Sequence, residues 1–193
     1  MRLTLDHNCL IDLEENRPSA PALRELIELH RAARIQVFVG SISASENLPG
    51  KVAPDSYAQF KERLDRLGIN ELPHLLPVSR VGLSFVLDAC VWADETVALA
   101  DQIKAIVHPN VEPRFADYLT AQGLPADADL TPKWRNLLCD IEGMAAHIRA
   151  GHDIFVTSDR HFLSEGRRQA LAALGAKEIL SPDDAVARIR KGG

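Results

Sequence analysis

Between Trp134 and Phe162 the chain reads WRNLLCDIEGMAAHIRAGHDIFVTSDRHF. This is a helix, a glycine stop, an apolar strand and a polar turn in immediate succession. Trp134, Leu137, Leu138, Ile141, Ala145 and Ile148 recur at helical spacing and give the helix one apolar face. Thr131 followed by Pro132 supplies an N-cap and a proline at the first helical position, and Gly151 stands where a left-handed C-terminal residue closes a helix. Ile154, Phe155 and Val156 form a short apolar run suited to a parallel strand covered on both faces. The strand opens into Thr157-Ser158-Asp159. A helix feeding a buried strand this directly commits the region to an α/β sheet. In such sheets chemistry collects outside the carboxyl ends of the strands, where Asp159 falls. The helix runs antiparallel to the strand after it, so Asp140, in the helix, is placed to approach the same edge. Taken alone, Asp140 reads more readily as a solvated helix residue and Asp159 as a turn residue.

The start of the chain sharpens this choice. Leu3 to Leu5 form a strand ending at Asp6, followed by His7-Asn8 and a helix beginning with Cys9-Leu10-Ile11. Ser19 is placed to cap a second helix with the stripe Leu23, Leu26, Ile27, His30 and Ala33, in which His30 reads as a core or boundary residue. Ile35 to Val39 form the second strand, and Gly40 to Ser45 turn the chain towards Glu46. That glutamate either complements a helix dipole or is a further acid at the carboxyl edge of the sheet. After Asp159 come a helix over residues 164–174, a strand at Glu178-Ile179-Leu180, and a final helix capped by Ser181-Pro182-Asp183. From Arg160 onward seven Lys or Arg face four Asp or Glu. Arg160, Arg167 and Arg168 either neutralise a phosphate backbone or make a solubilising helix face.

The middle of the chain, about residues 49–130, is broken by prolines and reads as a mainly helical insertion in one domain spanning residues 1–193. Helices are expected over residues 56–67, 94–107 and 112–122. Val81 to Trp92 fits a strand or a helix, and Asp88, Asp94 and Glu95 read as solvated charges or caps. No catalytic constellation is expected there.

Composition adds limits. At 193 residues, 46% hydrophobic and 25% charged, the chain can bury a sizeable core. A formal charge of −5 gives no global basic field for nucleic acid or anionic lipid, so basic residues acting on such partners must act locally. Cys9, Cys90 and Cys139 lack zinc-site spacing and read as core residues of a reduced, cytoplasmic protein. No signal peptide and no membrane-length apolar run are read. There is no glycine-rich phosphate loop and no Gly-x-Ser-x-Gly elbow.

The succession strand-Asp6-His7-Asn8, strand-Ser-Ile-Ser…Glu46, helix-Asp140 and strand-Thr157-Ser158-Asp159-Arg160-His161-Phe162 resembles the PIN domain, over Met1 to about Asn47 and about Thr131 to Arg190. The resemblance implies a three-layer α/β/α fold around a mostly parallel sheet and a nuclease dependent on Mg²⁺ or Mn²⁺. Carried over position by position, it makes Asp6, Glu46, Asp140 and Asp159 the catalytic, metal-binding acids. Asn8 and Thr157 become the groups that orient them, and Arg160, Arg167 and Arg168 the phosphate contacts. His7 stands where small or hydroxyl residues are usual in that family, and Ser158 where a basic residue often sits. RNA is the implied substrate, with an antitoxin protein and a second copy of the chain as further expected partners and no membrane.

The chemistry suits the residues. Cleaving a phosphodiester requires charge neutralisation and an activated water, and carboxylates are the hard oxygen ligands that hold the cations supplying both. Histidine catalysis is the rival chemistry. Among His7, His147, His152 and His161, only His7 reads as an active-site neighbour; the others read as structural or surface groups, His147 and His152 where a helix ends and a loop begins. Two other functions fit parts of the pattern. One is a catalytically silent scaffold that binds RNA or protein. The other is a haloacid-dehalogenase-type phosphatase, which usually has a second Asp where this chain has Asn8.

Overall fold

The computed structural model describes residues 1–44, 57–76, 96–112, 114–128 and 131–192. Within them the order is β1 (Arg2–Leu5), α1 (His7–Glu14), α2 (Ala20–Arg31), β2 (Gln36–Gly40), a 3₁₀ turn (Ser41–Ala44), α3 (Tyr57–Arg66) and β3 (His74–Leu75). Then come α4 (Thr96–Val107), α5 (Phe115–Ala121), α6 (Pro132–Ala150), β4 (Ile154–Val156), α7 (Arg160–Leu163), α8 (Glu165–Leu171), a π turn (Ala172–Ala176), β5 (Glu178–Leu180) and α9 (Pro182–Gly192).

The strands form one five-stranded, wholly parallel sheet in the order β3-β2-β1-β4-β5. Parallel strands need crossovers that lay helices on the sheet faces, so both faces are covered. Leu3, Leu5, Val37, Val39, Ile154 and Val156 bury one face together with Leu10 and Leu13 of α1, Leu23, Leu26 and Ile27 of α2, Phe60 and Leu64 of α3, and Val186 and Ile189 of α9. Phe155 and Ile179 point the other way, into a second core with Ile103 of α4, Leu137, Ile141 and Met144 of α6, and Leu171 of α8. The alternation follows the period of two along each strand. The result is the three-layer α/β arrangement expected from the sequence.

The chain winds outward from β1 to β3, then returns to the other side of β1 to lay down β4 and β5. The strand order therefore reverses between β1 and β4. In open α/β sheets, the crevice outside the carboxyl ends at such a reversal is where ligands bind.

Local chemistry sets the elements that frame this crevice. The Thr131 side chain caps α6 by accepting from the Trp134 N–H at 3.2 Å. Gly151 closes the helix at φ 61°, a left-handed conformation that costs glycine little. Ser181 caps α9 through the Asp184 N–H at 3.2 Å.

Several expectations change. The central region contributes β3, which pairs with the edge of β2, as well as helices. A two-residue strand has too short a pattern to read from sequence. The expected helix over 164–174 is preceded by a separate turn, α7, and ends in the π turn, where Gly175 has φ 107°. Ser19 does not cap α2 with its side chain; its hydroxyl donates to Asp12 at 2.5 Å. Cys9 and Cys139 are buried free thiols. Glu46, Asp88, Cys90, Asp94, Glu95 and the stretch Val81 to Trp92 lie outside the described residues. Among the described residues no helix is long and apolar enough to cross a membrane.

Candidate functional site

Asp6 leaves β1 at the reversal point and begins α1; Asp159 leaves β4, the neighbouring strand, and begins α7. Each acid is the N-cap of the short helix that follows. Asp6 accepts from the His7 N–H at 2.8 Å, and Asp159 from the His161 N–H at 2.7 Å. Strand end, acid and helix start thus coincide twice, side by side.

Thr157 joins the two. Its hydroxyl donates to Asp6 Oδ2 at 2.7 Å and accepts from the Asp159 backbone N–H at 3.0 Å. When Asp6 is ionised it can only accept, and the Thr157 hydroxyl, accepting from the Asp159 N–H, turns its own proton towards it. The Asn8 amide donates to the same Asp6 oxygen at 3.3 Å. Beneath, the Val156 carbonyl receives both the Asp6 N–H at 3.0 Å and the Cys9 thiol at 3.2 Å, which ties β1, α1 and β4 together. Asn8 and Thr157 thus both contact Asp6, one of the expected acids.

Asp140 comes from the middle of α6, the helix that leads back to β4. Its Oδ2 lies 3.2 Å from His108 Nε2. The three carboxyl groups act on one another. Burial, then the charge of Asp140, and to a smaller extent that of Asp159, push the Asp6 carboxyl up to about 7, against the opposing pull of Thr157 and His7. Asp140 is raised as well, chiefly by burial; His108 opposes this shift and Asp159 adds to it. Unlike acids in open solvent, Asp6 and Asp140 are crowded and partly dehydrated. Perturbed acids at a strand-order reversal mark a candidate functional site on physical grounds.

Glu46, the fourth expected acid, lies outside the described residues. The 3₁₀ turn two residues before it packs on α6, where Ile42 meets Cys139 and Leu138. The expected phosphate contacts differ among themselves. Arg160 is exposed at the start of α7. Arg167 reaches back to His161 Nδ1 at 2.9 Å, beside the acids, whereas Arg168 pairs with Glu165 of its own helix at 2.5 Å.

The histidines depart from expectation. His7 is buried, and burial together with the nearby Arg63 charge lowers its ring to about 3. It contributes its backbone N–H to Asp6 rather than an exposed ring. The site histidines are instead His108, which touches Asp140, and His161, whose charge acts on Asp140 and whose ring lies 6.5 Å from that of His108. His108 follows α4, in the region where no catalytic group was expected. Its contact spans 32 residues of chain and has no local signature. The one legible sign was a polar ring just beyond an apolar helix.

The donor set can be weighed against a divalent cation. Among the described residues no three His, Cys, Asp or Glu side chains form a group that could hold a metal ion as they stand. Mg²⁺ asks for less, because it retains several waters and takes only one or two protein carboxylates. Asp6 and Asp159 are hard oxygen donors of that kind, and the mutual repulsion with Asp140 is what a cation would relieve. The set therefore fits a hydrated hard cation. No family model, curated protein or solved structure matches the chain.

Proposed function

We propose that the chain is a divalent-metal-dependent endoribonuclease of the PIN type. The observation that carries this reading is the crowding of Asp6, Asp140 and Asp159 at the sheet's reversal point, with Asp6 raised to about 7. Asp6 and Asp159 would hold Mg²⁺ or Mn²⁺, with Asp140 facing them. The bound cation would neutralise the scissile phosphate and lower the pKa of a coordinated water. Thr157 and Asn8 hold the Asp6 carboxylate by donating to Oδ2, and the Asp159 N–H holds Thr157. His108 holds Asp140. Arg167 is the arginine of the three best supported as a phosphate contact, because it bonds His161, whose charge acts on Asp140.

Cleavage of a fluorogenic single-stranded RNA tests the proposal. Wild-type protein should cut in Mg²⁺ or Mn²⁺ and not in EDTA, and Asp159→Asn should be inactive with an unchanged circular dichroism spectrum. Equal cleavage by wild type and Asp159→Asn would refute the assignment. The narrower role of a toxin neutralised by an antitoxin predicts growth arrest on expression of the wild type but not of Asp6→Asn.

A second reading, a silent scaffold that binds RNA or a protein, is favoured by the lack of a three-ligand metal group among the described residues. It predicts RNA binding without cleavage and without any effect of Mn²⁺.

A further inference from the structure

His108 has two sides. One ring nitrogen faces Asp140, and the residue also lines a groove of about 690 Å³ between α4 and α5. The groove therefore begins beside Asp140. Its position is well determined. The Lys104 ammonium donates to the Val111 carbonyl at 3.0 Å and to that of Glu112, and the His108 N–H donates to the Lys104 carbonyl at 2.8 Å. These bonds clamp the segment after α4 that carries His108. Lys104 also lies over the Trp134 ring, 5.5 Å from its centre, which anchors the groove floor to α6.

Against this fixed background the remaining charges stand open. Arg114, at the N-cap of α5, is exposed; its backbone carbonyl accepts from the Tyr118 N–H at 3.0 Å, and its guanidinium has no hydrogen bond or ion pair with any described residue. Asp101 and Asp117 line the same groove; the Asp101 charge acts on Lys104, and neither carboxylate accepts a hydrogen bond from a described residue. A free guanidinium suits a phosphate, and free carboxylates accept from ribose hydroxyls or exocyclic amino groups. Such a mixture matches a nucleotide better than an apolar ligand.

We propose that the groove between α4 and α5 is a subsite for a nucleotide flanking the scissile bond of single-stranded RNA, with Arg114 on its phosphate and His108 as the wall shared with the acid pocket. This rests on the ribonuclease reading for the identity of the strand, but the groove can be tested apart from cleavage. His108 is then a positioning residue facing both strand and Asp140.

The test is fluorescence anisotropy of a labelled eight-nucleotide RNA on the full chain carrying Asp159→Asn, with and without Arg114→Ala, across a salt series. Loss of one phosphate contact on a single strand should flatten the slope of log Kd against log salt by about 0.7. Ala105→Trp, which fills the groove from an exposed position on α4, should weaken binding about tenfold. Circular dichroism on each variant establishes that it is folded. Unchanged slope and affinity in both variants, with wild-type cleavage intact, overturn the subsite and leave the nuclease reading standing. Arg114-dependent binding without wild-type cleavage supports the groove and overturns the nuclease. Absence of RNA binding overturns the subsite, and absence of wild-type cleavage overturns the nuclease.

Discussion

Thr4 and Asp6 are two residues apart on and just beyond the central strand, and both are buried, yet their surroundings differ in kind. Around Thr4 every polar group has found a partner. His147 Nε2 donates to the Ala176 carbonyl at 3.1 Å, which leaves Nδ1 as the acceptor of the Thr4 hydroxyl at 2.9 Å. The hydroxyl in turn accepts from His152 Nδ1 at 2.9 Å, and the His152 ring lies 4.3 Å from that of Phe38. At Asp6 the hydrogen bonds are equally good, but the neighbours include two more carboxylates, and the charge is opposed. A satisfied buried network specifies structure; a crowded one is retained at a cost in stability, as functional sites are.

The largest expected difference is in activity. Asp6→Asn should reduce RNA cleavage by about 10²–10³-fold or more, measured as kcat/KM, with the fold intact. Thr4→Val should do the reverse. It strands the His147 and His152 nitrogens and should cost about 2–4 kcal/mol of stability, measured by urea unfolding, at two desolvated groups. If Thr4→Val is as stable as wild type, the contrast fails.

The two regions also carry opposite pH signs. Asp6 rises from 3.8 to about 7 on folding, so its carboxyl favours the fold below pH 3.8 and that contribution is lost as pH rises through 7. His147 falls from 6.5 to about 4, because burial disfavours its charged form. Its contribution is present above pH 6.5 and lost as pH falls through about 4. Urea unfolding in EDTA should therefore show Asp6→Asn stabilised over wild type by about 2–4 kcal/mol at pH 8 and by little at pH 4. The acid loss should persist in both proteins. A gain for Asp6→Asn that is equal at both pH values would contradict the crowding.

The smallest effects belong to the supporting groups. Thr157→Val should lower metal affinity about 10–100-fold, and His108→Ala about tenfold, both read by Mn²⁺ titration of cleavage. An unchanged Mn²⁺ dependence in His108→Ala would mean that His108 has no part in holding Asp140 for catalysis.

What could be read from the sequence was whatever is written locally. The Thr131 cap, the Gly151 stop, the apolar run of β4 and the acids at two strand ends each rest on a few adjacent residues, and they place Asp6 and Asp159 at one sheet edge. Asp140 was reachable because helix and strand are consecutive and so antiparallel. The approach of His108 to Asp140 was not, since it depends on how α4 packs against α6. Nor was the burial of the His7 ring, which depends on α1 meeting the region of Arg63. His147 and His152 read as helix-end residues and proved to be core groups, because their partner Thr4 is more than 140 residues away.

Under the proposed function, a hard cation relieves the charge that Asp6, Asp140 and Asp159 exert on one another. Thermal unfolding at pH 8 with increasing Mn²⁺ tests it most directly, in wild type and in Asp6→Asn. At a hundredfold excess over Kd the wild type should gain about 2.7 kcal/mol, a rise in Tm of roughly 5–10 °C, while Asp6→Asn gains little. An unmoved wild-type Tm, or an equal rise in both proteins, would contradict it.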